Sequence, residues 1–163
     1  MRALVLGMGN DLFGDDAVGL RIVEELAQRP ELQEFDFETS DSGGLALLDV
    51  LAGYEKAYIV DCVPDDDANT GEVRRLRPDE LCCQPLTLSS HYAGLPEVLA
   101  LGETLDIPLP GIEILAVSVD DPFWIREGLS VKMRRALPSI VRQIREILLT
   151  DREKTVGRGN GDR

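Results

Sequence analysis

The feature that most narrows what this chain can fold into is its opening stretch, ALVLGMGNDLFGDDAVGLRIVEEL. An apolar run over residues 2–6, closed by Gly7, reads as a strand buried on both faces. From Asp16 onward, Val18, Ile22, Val23 and Leu26 fall at helical spacing, Arg21, Glu24 and Glu25 take the other face, and Pro30 stops the helix. This is one βα unit, and a strand buried on both faces needs cover on both sides.

The rest of the chain repeats that alternation. FDFET (35–39) is a second strand, SDSGG turns the chain, and Leu45, Leu48, Leu51 and Ala52 mark a second helix ended by Gly53. KAYIVDC is a third strand whose apolar run ends at Asp61. The acidic stretch from Pro64 to Gly71 is a surface loop, and GEVRRL reads as an exposed edge strand. Leu95, Val98, Leu99 and Gly102 imply a helix near 92–104, its regular part beginning nearer Gly94 because Pro96 belongs in a first turn. IEILAVSV (112–119) is the last buried strand. Ser130 then caps a final helix with Leu137, Ile140, Val141, Ile144 and Leu148 inward, and Pro138 should kink it or divide it. After Leu149 periodicity stops, so residues 150–163 read as a polar, disordered tail behind a single domain over residues 1–149. The predicted class is α/β: a three-layer sandwich with a mostly parallel, about five-stranded sheet between helices.

Charge and cysteine usage bound the partners. A formal net charge of −13 argues against duplex nucleic acid and anionic membrane, which would repel the chain, and favours a cation or a basic partner. No apolar run approaches the length of a membrane span, and the first one is too short for a signal-peptide core, so a cytoplasmic protein is expected. Cys62, Cys82 and Cys83 are odd in number and include an adjacent pair, which points to reduced thiols. One domain with a polar exterior permits a monomer.

In parallel α/β sheets ligands bind beyond the carboxyl ends of the strands. Those ends carry Gly7 to Asp16, Asp41 to Gly44, Asp61, and Ser118 to Asp121. Asp15 and Asp16 adjoin a helix start, where one acid serves as a cap or complements the dipole, but two exceed what one cap requires. Asp61 follows a buried strand, where a carboxylate must be paired or bind a metal. His91, in LSSHYAGL, is the only histidine. Asp16, Asp61 and His91 together would offer two oxygens and one nitrogen, a set that suits zinc, nickel, iron or manganese. A dinucleotide site fits poorly: Leu12 stands where GxGxxG needs its third glycine, and Asp15 and Asp16 would repel a pyrophosphate. A thiol nucleophile pairing Cys62 with His91 is a further option. Consecutive strand residues face opposite ways, however, so Cys62 is expected to point away from a site that Asp61 faces. Cys82 and Cys83 lie in an apolar loop stretch and read as packing.

The segments LVLGMGNDLFGDDAVGLRIVEEL, VDC and SSHYAGLPEVL, with EGLS before the last helix, resemble the nickel-iron hydrogenase maturation endopeptidases over about residues 2–148. That resemblance implies a peptidase that removes a C-terminal extension from a hydrogenase large-subunit precursor after nickel insertion. It places the family's metal-binding residues on Asp16, Asp61 and His91, with Asp16 and Asp61 as the catalytic acids. Gly9, Asn10, Asp41 and Gly43 become supporting, substrate-side residues. It implies that nickel arrives with the substrate and that other divalent metals could occupy the site. Some members have Glu where this chain has Asp16 and many have Gly where it has Ala17. A nickel-binding accessory protein of the same fold, without peptidase activity, is the alternative.

Overall fold

Strand β1 (Ala3–Met8) is buried along its whole length, and its parallel neighbours explain why. It lies between β2 (Phe35–Ser40) and β3 (Lys56–Pro64), with Val5 opposite Phe37 on one side and Tyr58 on the other. The computed structural model describes residues 2–64, 70–81, 95–120 and 124–159. Strand β5 (Gly111–Val119) runs parallel to β3, and β4 (Val73–Leu76) closes that edge antiparallel, giving the order β2-β1-β3-β5-β4. The sheet is therefore five-stranded and mostly parallel, as its apolar runs predict.

Side-chain alternation sorts the core into two halves. On one face Val5, Tyr58, Val60, Cys62, Leu115 and Val117 pack under α1 (Val18–Leu26) and the last helix. On the other, Leu4, Leu6, Ala57, Ile59, Ile114 and Ala116 meet α2 (Ala46–Leu51) and α4 (Leu95–Thr104). Each fully buried Leu or Ile stabilises the fold by roughly 1.5–3 kcal/mol. A short helix, α3 (Pro78–Leu81), follows the edge strand. The three-layer α/β architecture is thus present, with helices on both faces of the sheet.

The last helix, α5 (Val131–Gly159), is undivided and runs further than expected. It is one helix rather than two, although Pro138 lies inside it. Pro138 is exposed, so the carbonyl it leaves unbonded can turn to water while Met133, Ile140 and Val141 stay buried around it. It also continues ten residues past Leu149, where a disordered tail was expected. The anchors there are polar and so leave no apolar period. The Tyr58 hydroxyl donates to Asp151 at 3.2 Å, Arg75 donates to Asp151 at 2.6 Å, and Arg152 reaches Glu34 at 2.6 Å and the Glu31 carbonyl at 3.2 Å.

Arg75 and Lys56 both also donate to Glu113, which joins strands β3, β4 and β5 through one carboxylate. Burial pushes the Glu113 carboxyl up, but the hydrogen bonds from Arg75 and Lys56 outweigh it and hold it below its ordinary value of 4.5. A carboxyl depressed in the folded state stabilises it above the unfolded pKa and loses that contribution as pH falls through the folded one. Acid should therefore weaken the fold from about pH 4.5 downwards in part through this group. In Glu113→Gln the urea midpoint should fall less steeply with acid than in the wild type. Parallel acid limbs would remove Glu113 from the account.

Candidate active site

Beyond Gly7, β1 no longer pairs with β3, while β3 runs on beside β5 through Asp61, Cys62 and Val63. Asp61 is thus not at the strand's end, as its apolar run suggests, but three residues inside it. It is the first residue past the last β1 rung. The chain leaving β1 fills this opening. Asn10 builds the loop by accepting the Leu12 N–H on its side-chain oxygen at 3.0 Å and the Phe13 N–H on its carbonyl at 3.1 Å. A 3-10 turn, Gly14–Ala17, then leads into α1 and carries both acids into buried positions.

The two adjacent aspartates part company here. Asp15 accepts from the backbone N–H of Ser130 at 2.7 Å and from its hydroxyl at 2.8 Å, and that hydroxyl in turn accepts the Met133 N–H at 3.1 Å. So Ser130 does cap α5, and Asp15 holds the cap. The structural role expected for one acid belongs to Asp15, but on a helix 115 residues away rather than on its own. The Phe13 to Arg126 bridge, with the Gly14 N–H donating to the Arg126 carbonyl at 3.1 Å, ties down the same loop.

Asp16 faces the opening. One oxygen each from Asp16 and Asp61 and the sulfur of Cys62 all lie within 4.8 Å of one another, and all three residues are buried. The Cys62 thiol donates to Asp16 Oδ1 at 3.2 Å, and Asp61 Oδ1 accepts the Cys62 backbone N–H at 2.7 Å. The expectation that Cys62 points away is corrected by this geometry. Alternation governs where Cβ atoms start, and the Asp61 side chain folds back over its own backbone towards the next residue. Burial, reinforced by the Asp61 and Asp16 carboxylates, pushes the Cys62 thiol well above its ordinary range. A nucleophilic thiolate is disfavoured in such surroundings.

Close backbone contact sets these distances. A Cβ on Gly9 would lie 2.2 Å from the Asp16 carbonyl oxygen, and one on Gly19 would lie 2.4 Å from the carbonyls of both Met8 and Val60. Gly9 thus seats the acid turn, and Gly19 lets α1 press on the strand ends. Gly19 was missed by the sequence reading, although a glycine on the buried face of a helix that follows a glycine loop is its signal.

The other predicted residues separate. Asp41 is exposed and accepts from the Ser42 hydroxyl at 2.9 Å, outside the cluster. Gly43 is half-buried in the same loop, which is joined to the first by the Gly9 N–H donating to the Ser40 carbonyl at 3.2 Å. Ser118 is buried, and among the described residues its hydroxyl has no hydrogen-bond partner. His91, Cys82, Cys83 and Asp121 lie outside the described residues. Two buried carboxylates and a thiol this close are costly unless a proton or a cation sits among them. Their donor set suits a borderline-soft divalent ion such as nickel or zinc.

Residues 20–147 match the family model described as hydrogenase maturation protease. The hydrogenase 2 maturation protease of Escherichia coli K12 is 32% identical over 152 residues, covering 90% of this chain and 92% of that protein. Among solved structures, the hydrogenase maturating endopeptidase HybD from E. coli superposes with a TM-score of 0.75 at 26% identity, over 93% of this chain and 94% of that one. The maturation protease HybD from Thermococcus kodakarensis shares the fold, with a TM-score of 0.68 at 23% identity over 90% of this chain and 99% of that one. Fold and site together define an α/β peptidase whose acids lie at the carboxyl edge of a mostly parallel sheet. The chain belongs to the hydrogenase maturation protease family.

Proposed function

We propose that this protein removes the C-terminal extension from the large-subunit precursor of a nickel-iron hydrogenase once nickel is in place, acting in the cytoplasm. In this reading Asp16, Asp61 and His91 recognise the nickel that the substrate carries. The observation that carries it is the buried meeting of Asp16 and Asp61, from a loop and a strand 45 residues apart, at the sheet edge where α/β folds bind ligands.

The chemistry follows from what the chain's own groups can do. A metal held there would supply Lewis acidity to the scissile carbonyl or to a water. Asp16 or Asp61 accepts the proton of the attacking water and returns it to the leaving amine. Gly9 and the Asp15 to Ser130 pair keep the Asp16 turn from drifting. No serine or cysteine nucleophile is needed. Among the described residues, no helix is long and apolar enough to cross a membrane.

Intact mass of a large-subunit precursor tests this reading. The nickel-loaded precursor should lose one defined C-terminal segment on incubation with the protein, and the nickel-free precursor should stay whole. Equal cleavage of both would remove nickel recognition. Retention of mass in the loaded precursor, with nickel bound, would favour the accessory-protein role instead.

A further inference from the structure

We propose that Cys62 is itself a ligand in the metal site, and that its sulfur biases the site towards thiophilic divalent ions over hard ones. The proposal rests on the reading of Asp16 and Asp61 as metal-binding residues and adds a donor to it.

Cys62 is fully buried in β3, so the plain account of it is packing, since a thiol fills a core as a small apolar group. Its contacts say otherwise. The sulfur is 3.2 Å from Asp16 Oδ1, and the Asp61 carboxylate closes the same small group. Two donors on one ion, with a metal–sulfur bond of about 2.3 Å and a metal–oxygen bond of about 2.0–2.2 Å, stand roughly 3.0–3.6 Å apart at ordinary bond angles. The observed sulfur–oxygen distance falls inside that window. The third donor atom is within 4.8 Å of both, so adjusting side-chain torsions, without moving the strand, would bring all three onto one ion. The Asp61 carboxylate is already turned towards residue 62 by its bond to the Cys62 N–H.

Binding would exchange one contact for another. The S–H bond breaks, the proton passes to solvent, a metal–sulfur bond forms, and Asp16 Oδ1 exchanges the thiol hydrogen bond for a bond to the same ion. No electron changes hands. Soft sulfur ranks ions differently from carboxylate oxygen, so a site with both should hold cadmium, cobalt or nickel in preference to manganese or magnesium.

The test uses the full chain carrying Cys82→Ser and Cys83→Ser, so that Cys62 is its only thiol. Titrated with Co²⁺, it should show visible d–d bands together with a near-ultraviolet sulfur-to-metal charge-transfer band. Cys62→Ala and the nearly isosteric Cys62→Ser should both keep the d–d bands and lose the charge-transfer band. Their affinity for Cd²⁺ should drop by about tenfold or more, since losing a ligand costs no less than losing a group that supports one. Their affinity for Mn²⁺ should stay within about threefold. Cobalt d–d bands without charge transfer in the Cys62-only chain, or unchanged Cd²⁺ affinity in both variants, would overturn the role of Cys62 and leave the carboxylate site standing. Absence of any cobalt signal would overturn the metal-site reading and this proposal with it.

Discussion

Asp61→Asn should slow precursor cleavage by about 10²–10⁴-fold, the range a positioned proton acceptor supplies, while leaving the unfolding temperature no lower than that of the wild type. The two halves of this expectation have one cause. Asparagine keeps the oxygen that accepts the Cys62 N–H, so the local backbone geometry survives. It replaces one of two buried carboxyl groups whose oxygens lie within 4.8 Å of each other. An acid kept in a buried position for its chemistry rather than for packing is commonly held at a cost in stability. Asp16→Asn should lose activity comparably, and the double variant should be little worse than either alone, because groups acting as a unit are not additive. Single-turnover cleavage followed by intact mass, beside a thermal melt, reads both. Wild-type cleavage by Asp61→Asn would remove this residue from the chemistry.

Gly9→Ala is the second large effect, and it acts without touching a charge. The added carbon would lie 2.2 Å from the Asp16 carbonyl oxygen and 3.2 Å from the Ala17 Cα. Both obstacles are backbone, so no side chain can swing aside and the turn must shift. Overpacking of this kind costs about 1–3 kcal/mol. A displacement near 1 Å at a reacting group can cost about 10²-fold in rate. Cleavage should fall by about that factor. Gly53→Ala is the control: Gly53 has φ +83° and nothing among the described residues within 4 Å of the added carbon, and it precedes the opposite end of β3. It should lose about 1 kcal/mol of stability from backbone strain alone and keep its activity. If both variants cleave alike, the close approach at Gly9 does not govern the site.

The parts of this molecule that could be read from its sequence are those written in apolar pattern. β1, β3 and β5 announced themselves as continuous hydrophobic runs because parallel strands are buried on both faces, and α1 did so by its helical period. The meeting of Asp16 and Asp61 was legible because position at the carboxyl edge, not pattern, singles them out. What stayed hidden is written in polar contacts between distant residues. Asp15 meets Ser130, and Asp151 meets Tyr58 and Arg75, through bonds that leave no period to detect. The helix past Leu149 was lost for that reason. The direction of Cys62 was misread for a different reason: period-two reasoning follows Cβ directions, whereas contacts depend on where side chains end.

The bridge that ties Phe13 and Gly14 to Arg126 also makes the molecule its own optical probe. Trp124, the chain's only tryptophan, is 69% exposed two residues before that bridge, on the loop that follows β5. Its carbonyl lies 3.4 Å from where a Cβ on Gly14 would be, so it sits against the loop carrying Asp16. A large protein settling over this edge would dry the indole and shift its emission to the blue. Encounter with the precursor could then be timed in unlabelled protein, separately from the cut itself. An emission spectrum that stays fixed while mass is lost would mean that the precursor approaches from another side.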